Sequence, residues 1–474
     1  MILVAVLVGG FTGRVDAMTK GAFDTAKSAV MDIALPLIGL MAIWLGMMRL
    51  AERAGLVQLL ARGLRPLMRR LFPEVPADHP AQGAMVLNMA ANMLGLGNAA
   101  TPLGLRAMAL LQKLNPHKTV ATNSMVTFLA VNTASIQLVP TTAISILAVQ
   151  GSNSASSIVV PAFLTTVVAM TCGIFAARWL SRLPAFRVRA DEPEDDLPVN
   201  TAAQEEVEVA FSEPPSMTTR GRIGFALFLA AFAALWVITW YVAAFPDRWM
   251  GFWTADMMRE IAVQKLSGSI GAHVSATNSA LGPAFTWMHL HVGAPSPGLA
   301  MLQAIGLLAV PFLLACFPLY AWLRGVRVYE QFCEGAKDAF TTAQRIIPFL
   351  VAMLVAIRLL REAGVIQLIT SGLQPVLNFV GFPADLLPLA LMRPLSGSAS
   401  QGIFVDIVKT HGADSLIAKM SATIYGSTET TFYVLAVYFG SIGIRKARHA
   451  VLAGLTADIV AIFLAIAMCR WMLG

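Results

Sequence analysis

Runs of more than twenty residues without a charged side chain recur along this chain, and they restrict its fold more than any other feature. Residues 83–105, 124–149, 157–177, 223–245 and 298–323 all qualify. A bilayer core ~30 Å thick is crossed by about 20 apolar helical residues, so each run is long enough to enter one. Of 474 residues, 57% are hydrophobic and 13% charged, which excludes an ordinary soluble domain. Backbone groups in hydrocarbon need internal partners, and the runs are too long for barrel strands. The expectation is an all-α polytopic membrane protein in the lipid bilayer, with eight to ten hydrophobic spans. Two of these are expected to be re-entrant or broken.

The net charge of +7 comes from Arg residues beside apolar runs, as in the cytoplasmic loops of an inner-membrane protein. It does not point to nucleic acid. Four scattered cysteines, Cys172, Cys316, Cys333 and Cys469, form no CxxC pair and read as small hydrophobes. The first residues, MILVAVLVGGFTGR, lack a basic n-region and are too few to span. A short first helix is expected there.

One run is unlike the rest. Residues 88–104, NMAANMLGLGNAATPLG, carry Asn, Gly, Thr and Pro at membrane depth. Gly and Pro interrupt a helix, and the freed backbone groups are tolerated only inside protein or along a cavity. Transporters place their sites at such breaks. Small residues also let helices pack closely, with Asn joining them, and both readings stand.

The chain divides by composition. Residues 1–185 and 324–474 hold most of the apolar runs. Residues 186–222, with the acidic run DEPEDD, read as a solvated cytoplasmic linker. Residues 223–323 add two transmembrane helices around an outer-side segment, 246–297, whose His289 and His291 suit a surface role.

The two large parts repeat one another. AGLVQLLARGLRP (54–66) matches AGVIQLITSGLQP (363–375), and Leu35-Pro36 matches Ile347-Pro348. LGLGNAA (94–100) lies opposite PLSGSAS (394–400), and VNTASIQL (131–138) opposite TETTFYVL (428–435). Four matches in one order make an internal duplication. The first amphipathic stretch, counted from Arg49 to Arg70, carries six Arg and the second, at 366–383, none, which places them on opposite sides of the membrane. Two inverted repeats with broken helices are expected, with a site between them.

These residues resemble two known families joined in one chain. NMAANMLGLGNAATPLG and VNTASIQLVPTT resemble the spore maturation A family; MRPLSGSASQG and YGSTETTFYVLAVYFG resemble the B family. The resemblance covers about 15–185 and 325–474. It implies a Gate-type, nucleoside-recognition domain, a group with relatives among nucleoside and ferrous-iron transporters. It also implies a link to spore core dehydration, with a D-alanyl-D-alanine carboxypeptidase nearby in some genomes. A homodimer and peptidoglycan enzymes are the partners it suggests. The label "nucleoside recognition" names a domain and assigns no substrate.

Candidate binding residues follow from the breaks. Asn88 and Asn92 are one helical turn apart, on one face. Gly95 and Gly97 interrupt the helix, and Asn98 and Thr101 follow. Asn132, Thr133 and Gln137 add neutral groups from the next helix. In the second repeat, Arg393 sits beside Ser396, Ser398, Ser400 and Gln401. Glu429 is the only charge between residues 420 and 444; buried ionisable groups at that depth are costly and usually functional. Tyr425 and Tyr433, one turn to either side, are placed to position it, with Thr428 and Thr430 adjacent. Arg393 and Glu429 either pair with each other or bind a small zwitterion or carboxylate, with Glu429 carrying a coupling proton. Asp406, Asp458 and Asp32 are secondary candidates. No metal-ligand cluster, cofactor motif or nucleophile–base constellation is visible, so no cofactor and no hydrolytic activity are expected. The function expected is transport of a small polar or zwitterionic solute; the alternative is a non-transporting envelope scaffold.

Overall fold

The computed structural model describes residues 2–11, 13, 15–95, 97–186, 217–245, 296–364, 377, 379 and 381–474. Most of the acidic linker, the 246–297 segment with His289 and His291, most of the stretch 366–383 and the side chain of Asn98 lie outside the described residues.

The chain opens with α1 (Ile2–Phe11) and α2 (Val15–Ser28), then a π-helical turn, Ala29–Ala34, leading into α3 (Leu35–Arg53). Pro36 brings no N–H and its ring crowds the carbonyl four residues earlier, so the helix widens there instead of continuing unchanged. Asp32 falls in that turn and is exposed, which removes it from the candidates for the bundle interior. Gly55, at φ +79°, turns the chain into α4 (Leu56–Leu71). This amphipathic helix buries Leu56, Val57, Ala61 and Met68 and exposes Arg62, Arg65, Arg69 and Arg70.

A hairpin follows, α5 (Pro80–Met93) and α6 (Gly97–Lys113), with Gly95 at φ +77° at its tip. Glu74, ahead of α5, accepts hydrogen bonds from Asn123 Nδ2 (3.1 Å) and Ser124 Oγ (2.9 Å), beyond α6. Both ends of the hairpin therefore lie together and its tip points inward, the geometry of a re-entrant segment. The next crossing is broken into α7 (Asn123–Ala134) and α8 (Thr141–Val149), with Ser135 at φ +32° between them. The helix α9 (Val159–Leu180) returns, and Arg178 Nη2 bonds the carbonyls of Arg70 and Leu71 at 3.2 and 3.0 Å.

Two connecting helices, α10 (Thr219–Ala244) and α11 (Pro297–Leu323), pack on each other. The second repeat then runs through α12 (Val328–Glu362), α13 (Leu387–Met392), α14 (Gly397–His411), α15 (Leu416–Ser427), α16 (Thr431–Gly440) and α17 (Ala450–Leu473). Its likeness to the first is conformational. Gly364, at φ +81°, ends α12 as Gly55 ends α3. Asp385 and His411, 3.8 Å apart, join the two ends of the α13–α14 hairpin. The first halves of the broken crossings, α7 and α15, are both 12 residues long, capped by the Thr122 and Ser415 hydroxyls. That equivalence places Ser135 opposite Thr428, four residues from the pairing of Val131 with Thr428 that the sequence suggests. A slip of four is about one helical turn and keeps the same face, so periodicity alone does not register it.

The repeats are inverted. α3 packs on α12 and α9 on α17, while α7 packs on α16 and α8 on α15. The α6–α7 turn meets the α16–α17 turn through Ala121 N–H to Lys446 O (3.1 Å) and Arg445 N–H to Thr119 O (2.8 Å). At the other end, Asp414 in the α14–α15 turn accepts from Ser152 Oγ (2.6 Å) and Asn153 N–H (3.0 Å), after α8. Each kind of turn in one copy thus meets the other kind in its partner copy, which requires opposite directions. Among the described residues, five helices are long and apolar enough to cross a membrane. The broken crossings are interrupted, and α12 carries charges along its first turns, which is why fewer continuous spans are found than the apolar runs suggest.

Candidate functional site

The breaks of the two crossings meet at the centre of the bundle. Glu429 N–H donates to Thr133 O at 2.7 Å, Leu138 N–H to Met93 O at 2.9 Å, and Phe432 N–H to Pro394 O at 3.1 Å. Each interrupted helix thus satisfies orphaned backbone groups on another, and four breaks are held together.

A cavity of about 110 Å³ opens there, lined by Gln137, Pro140, Thr142, Ala143, Arg393, Gly397, Tyr425, Gly426 and Glu429. Arg393 follows directly after α13, only 4% exposed, with its guanidinium 4.7 Å over the Tyr425 ring. That cation–π contact supports the fork from below. No ion pair joins Arg393 to Glu429 among the described residues. The cavity therefore presents a cation, a carboxylate, an amide and hydroxyls to whatever fills it.

Other candidate residues are placed elsewhere. Asn92 Nδ2 donates to Asn132 Oδ1 at 2.9 Å, Tyr438 Oη donates to the same oxygen at 3.2 Å, and Asn132 Nδ2 donates to Phe128 O at 2.9 Å. Asn88 Nδ2 donates to Ala100 O at 2.8 Å. This amide cluster binds the hairpin tip to both broken crossings and is not among the residues that line the cavity. Gly95 turns the tip, Gly97 opens α6, and Thr101 lies in the early turns of α6. The Ser396 hydroxyl accepts from Ala399 N–H (3.2 Å), Ser398 Oγ lies 3.4 Å from it, and Ser400 Oγ donates to Ser396 O (2.7 Å). These serines start α14 and are used there. Gln401 and Thr428 are buried, with Gln401 Nε2 and Thr428 Oγ1 lacking a protein partner. Thr430 Oγ1 lies 3.1 Å from where a Cβ on Gly397 would sit. Tyr433 is 57% exposed and does not flank Glu429, because the helix is broken between them.

Two larger cavities lie at opposite ends of the bundle. One, about 580 Å³, is lined by Glu74, Asn115, His117, Ser124, Ser181 and Arg448 among others; with α4 beside it, this is the arginine-rich end. The other, about 360 Å³, includes Asp24, Arg358, Arg361, Asp406 and Lys409, with Arg361 ion-paired to Asp406. α7 leads from the first cavity to the centre, and Phe128 on it stacks with Tyr438 at 6.2 Å. α14 leads from the centre to the second, and Phe404 on it stacks with Tyr425 at 5.4 Å. One aromatic pair therefore stands on each approach. Sequence reasoning missed Tyr438 and Phe404, because an aromatic residue in an apolar helix carries no signal of its own.

Comparison with known proteins agrees with this architecture. The Gate family, described as nucleoside recognition, matches residues 34–150 and 343–445. Spore maturation protein B of Bacillus subtilis (strain 168) is 39% identical over 174 residues, 37% of this chain and 98% of that protein. Spore maturation protein A of the same organism is 41% identical over 167 residues, 35% of this chain and 85% of that protein. No solved structure matches the chain.

Proposed function

The chain belongs to the spore maturation A and B family of multi-pass membrane proteins, and from that premise we propose that it is an inner-membrane transporter of a small zwitterionic or carboxylate-bearing solute. The observation that carries this reading is Arg393 and Glu429 facing one central cavity without pairing. Opposite charges held apart at membrane depth are expensive unless something completes them. A solute with a carboxylate for the planar Arg393 fork and an ammonium for Glu429 does so. The volume limits its size: about 110 Å³ corresponds to roughly four waters at ~30 Å³ each. Drug-sized ligands occupy ~300–1,000 Å³, so the cavity suits an amino-acid-sized solute better than a nucleoside. A central site flanked by one cavity at each end, between inverted repeats, is the arrangement used for alternating access. The arginine-rich end is cytoplasmic in this reading.

The test is uptake into proteoliposomes of the purified protein, screened over small amino acids, small peptides and nucleosides. Accumulation of a small amino acid, lost by at least about tenfold in Arg393→Ala and Glu429→Gln, is the expected result. No uptake of any of these solutes, or uptake unchanged in both variants, rejects the reading. Absence of uptake returns the chain to a non-transporting role, such as scaffolding peptidoglycan enzymes, and unchanged uptake moves the site away from Arg393 and Glu429.

A further inference from the structure

We propose that the crossing of the two broken helices also holds a sodium ion, between the carboxylate of Asp458 and the hydroxyls of Thr133, Thr428 and Thr431. The proposal goes beyond the solute cavity and stands on different atoms.

Asp458 lies mid-way along α17 and is fully buried, at 0% exposure. Its Oδ2 accepts from Thr431 Oγ1 at 2.5 Å, while its Oδ1 has no partner among the described residues. Thr133, at 0% exposed, and Thr428, at 3%, are also buried, and neither hydroxyl has a partner among the described residues. The side chains of Asp458, Thr431 and Thr133 come together around Gly454. Thr431 Oγ1 and Thr133 Oγ1 lie 3.3 and 3.6 Å from the position a Cβ would take on Gly454, one turn before Asp458 on α17. Thr428 precedes Glu429, whose N–H bonds Thr133 O at 2.7 Å, so its backbone runs beside that of Thr133.

Buried hydroxyls and carboxylates without partners each cost free energy. Thr431 is bonded to Asp458, but Asp458 Oδ1 and the Thr133 and Thr428 hydroxyls beside them are not, and a cation would supply what those oxygens lack. Two further features select its charge. α7 and α15 both end here, and helix C-termini, with their free carbonyls, favour positive charge. Arg393 and Glu429 are within electrostatic reach of Asp458, so the centre carries one positive and two negative groups. One monovalent cation balances it. A divalent ion overshoots that balance and finds one carboxylate where such ions generally take more.

The experiment uses the full chain in detergent and follows thermal unfolding at pH 8 in sodium chloride against choline chloride at constant total salt. The expected result is a saturable rise in midpoint of about 2–6 °C with sodium. It should be abolished in Asp458→Asn, and the sodium concentration needed should increase at least about tenfold in Thr133→Ala and in Thr428→Ala. If Asp458→Asn does not fold, the two threonine variants carry the test. Equal midpoints in sodium and choline overturn the proposal, as does an equal response to potassium. A stabilisation that follows pH instead of sodium and disappears in Asp458→Asn overturns it in favour of a proton. No solute enters this measurement, so its failure is distinct from failure of the transport reading.

Discussion

Gly104 leaves no room for a methyl group: a Cβ there would lie 2.2 Å from Tyr438 Oη and 3.0 Å from Asn88 Nδ2. The phenol is buried and held by Asn132, so it has nowhere to swing. Gly104→Ala is expected to cost about 1–3 kcal/mol, read as a lower unfolding midpoint in detergent. His449, in the α16–α17 turn, sets a pH limit. Burial and then the adjacent Arg448 guanidinium lower its pKa to about 4, against a weaker pull from the Ala177 carbonyl. A depressed histidine is neutral in the fold and charges on unfolding. Its contribution is therefore complete above pH ~6.5 and is lost as pH falls from there toward 4. The loss reaches about 3 kcal/mol at most. The wild-type midpoint should fall across that window, and His449→Gln should flatten the decline. At this scale the sequence was readable where charge is rare: Arg393 and Glu429 stand out by being ionisable inside apolar runs. The amides of Asn88, Asn92 and Asn132 stand out equally, but whether they serve a ligand or one another depends on Tyr438, more than 300 positions away, and no local pattern shows that.

Broken helices are the elements that matter most, and they too were partly legible. Gly, Pro and Thr mark the interruptions near 94–98, 135–140, 393–396 and 428–430, because these residues weaken or cap helices. What the pattern does not contain is which segments turn back and which cross, since that depends on pairs such as Glu74 with Ser124. Ser135 holds the α7–α8 break at φ +32°, a conformation that disfavours a side chain. Ser135→Gly should raise stability by about 0.5–1 kcal/mol, and Ser135→Val should lower it, both read from the unfolding midpoint. The stacked pairs Phe128–Tyr438 and Phe404–Tyr425 predict directional access. In a background without the four native cysteines, Gln137→Cys should label slowly with an impermeant thiol reagent. Adding Phe128→Ala should speed labelling from the arginine-rich end, and adding Phe404→Ala from the opposite end.

At the level of the whole molecule, the two copies bury their faces in each other. α3 with α12, α9 with α17, and the crossed halves of the broken helices are all contacts between copies. Neither copy has a complete core of its own, so a chain cut within 187–216 should yield two fragments that copurify when made together and aggregate when made singly. Coexpression with a tag on one fragment checks this. The re-entrant hairpin contributes no net traverse, which leaves each copy with three: α3, the broken pair α7–α8 and α9, matched by α12, α15–α16 and α17. An odd count means that a tandem duplicate enters the bilayer from the side opposite to its predecessor's entry, so its antiparallel orientation is a matter of parity and needs no separate signal. α10 and α11 add two traverses and preserve that parity; removing either one alone would flip everything downstream and leave the second copy facing the wrong way to close the centre.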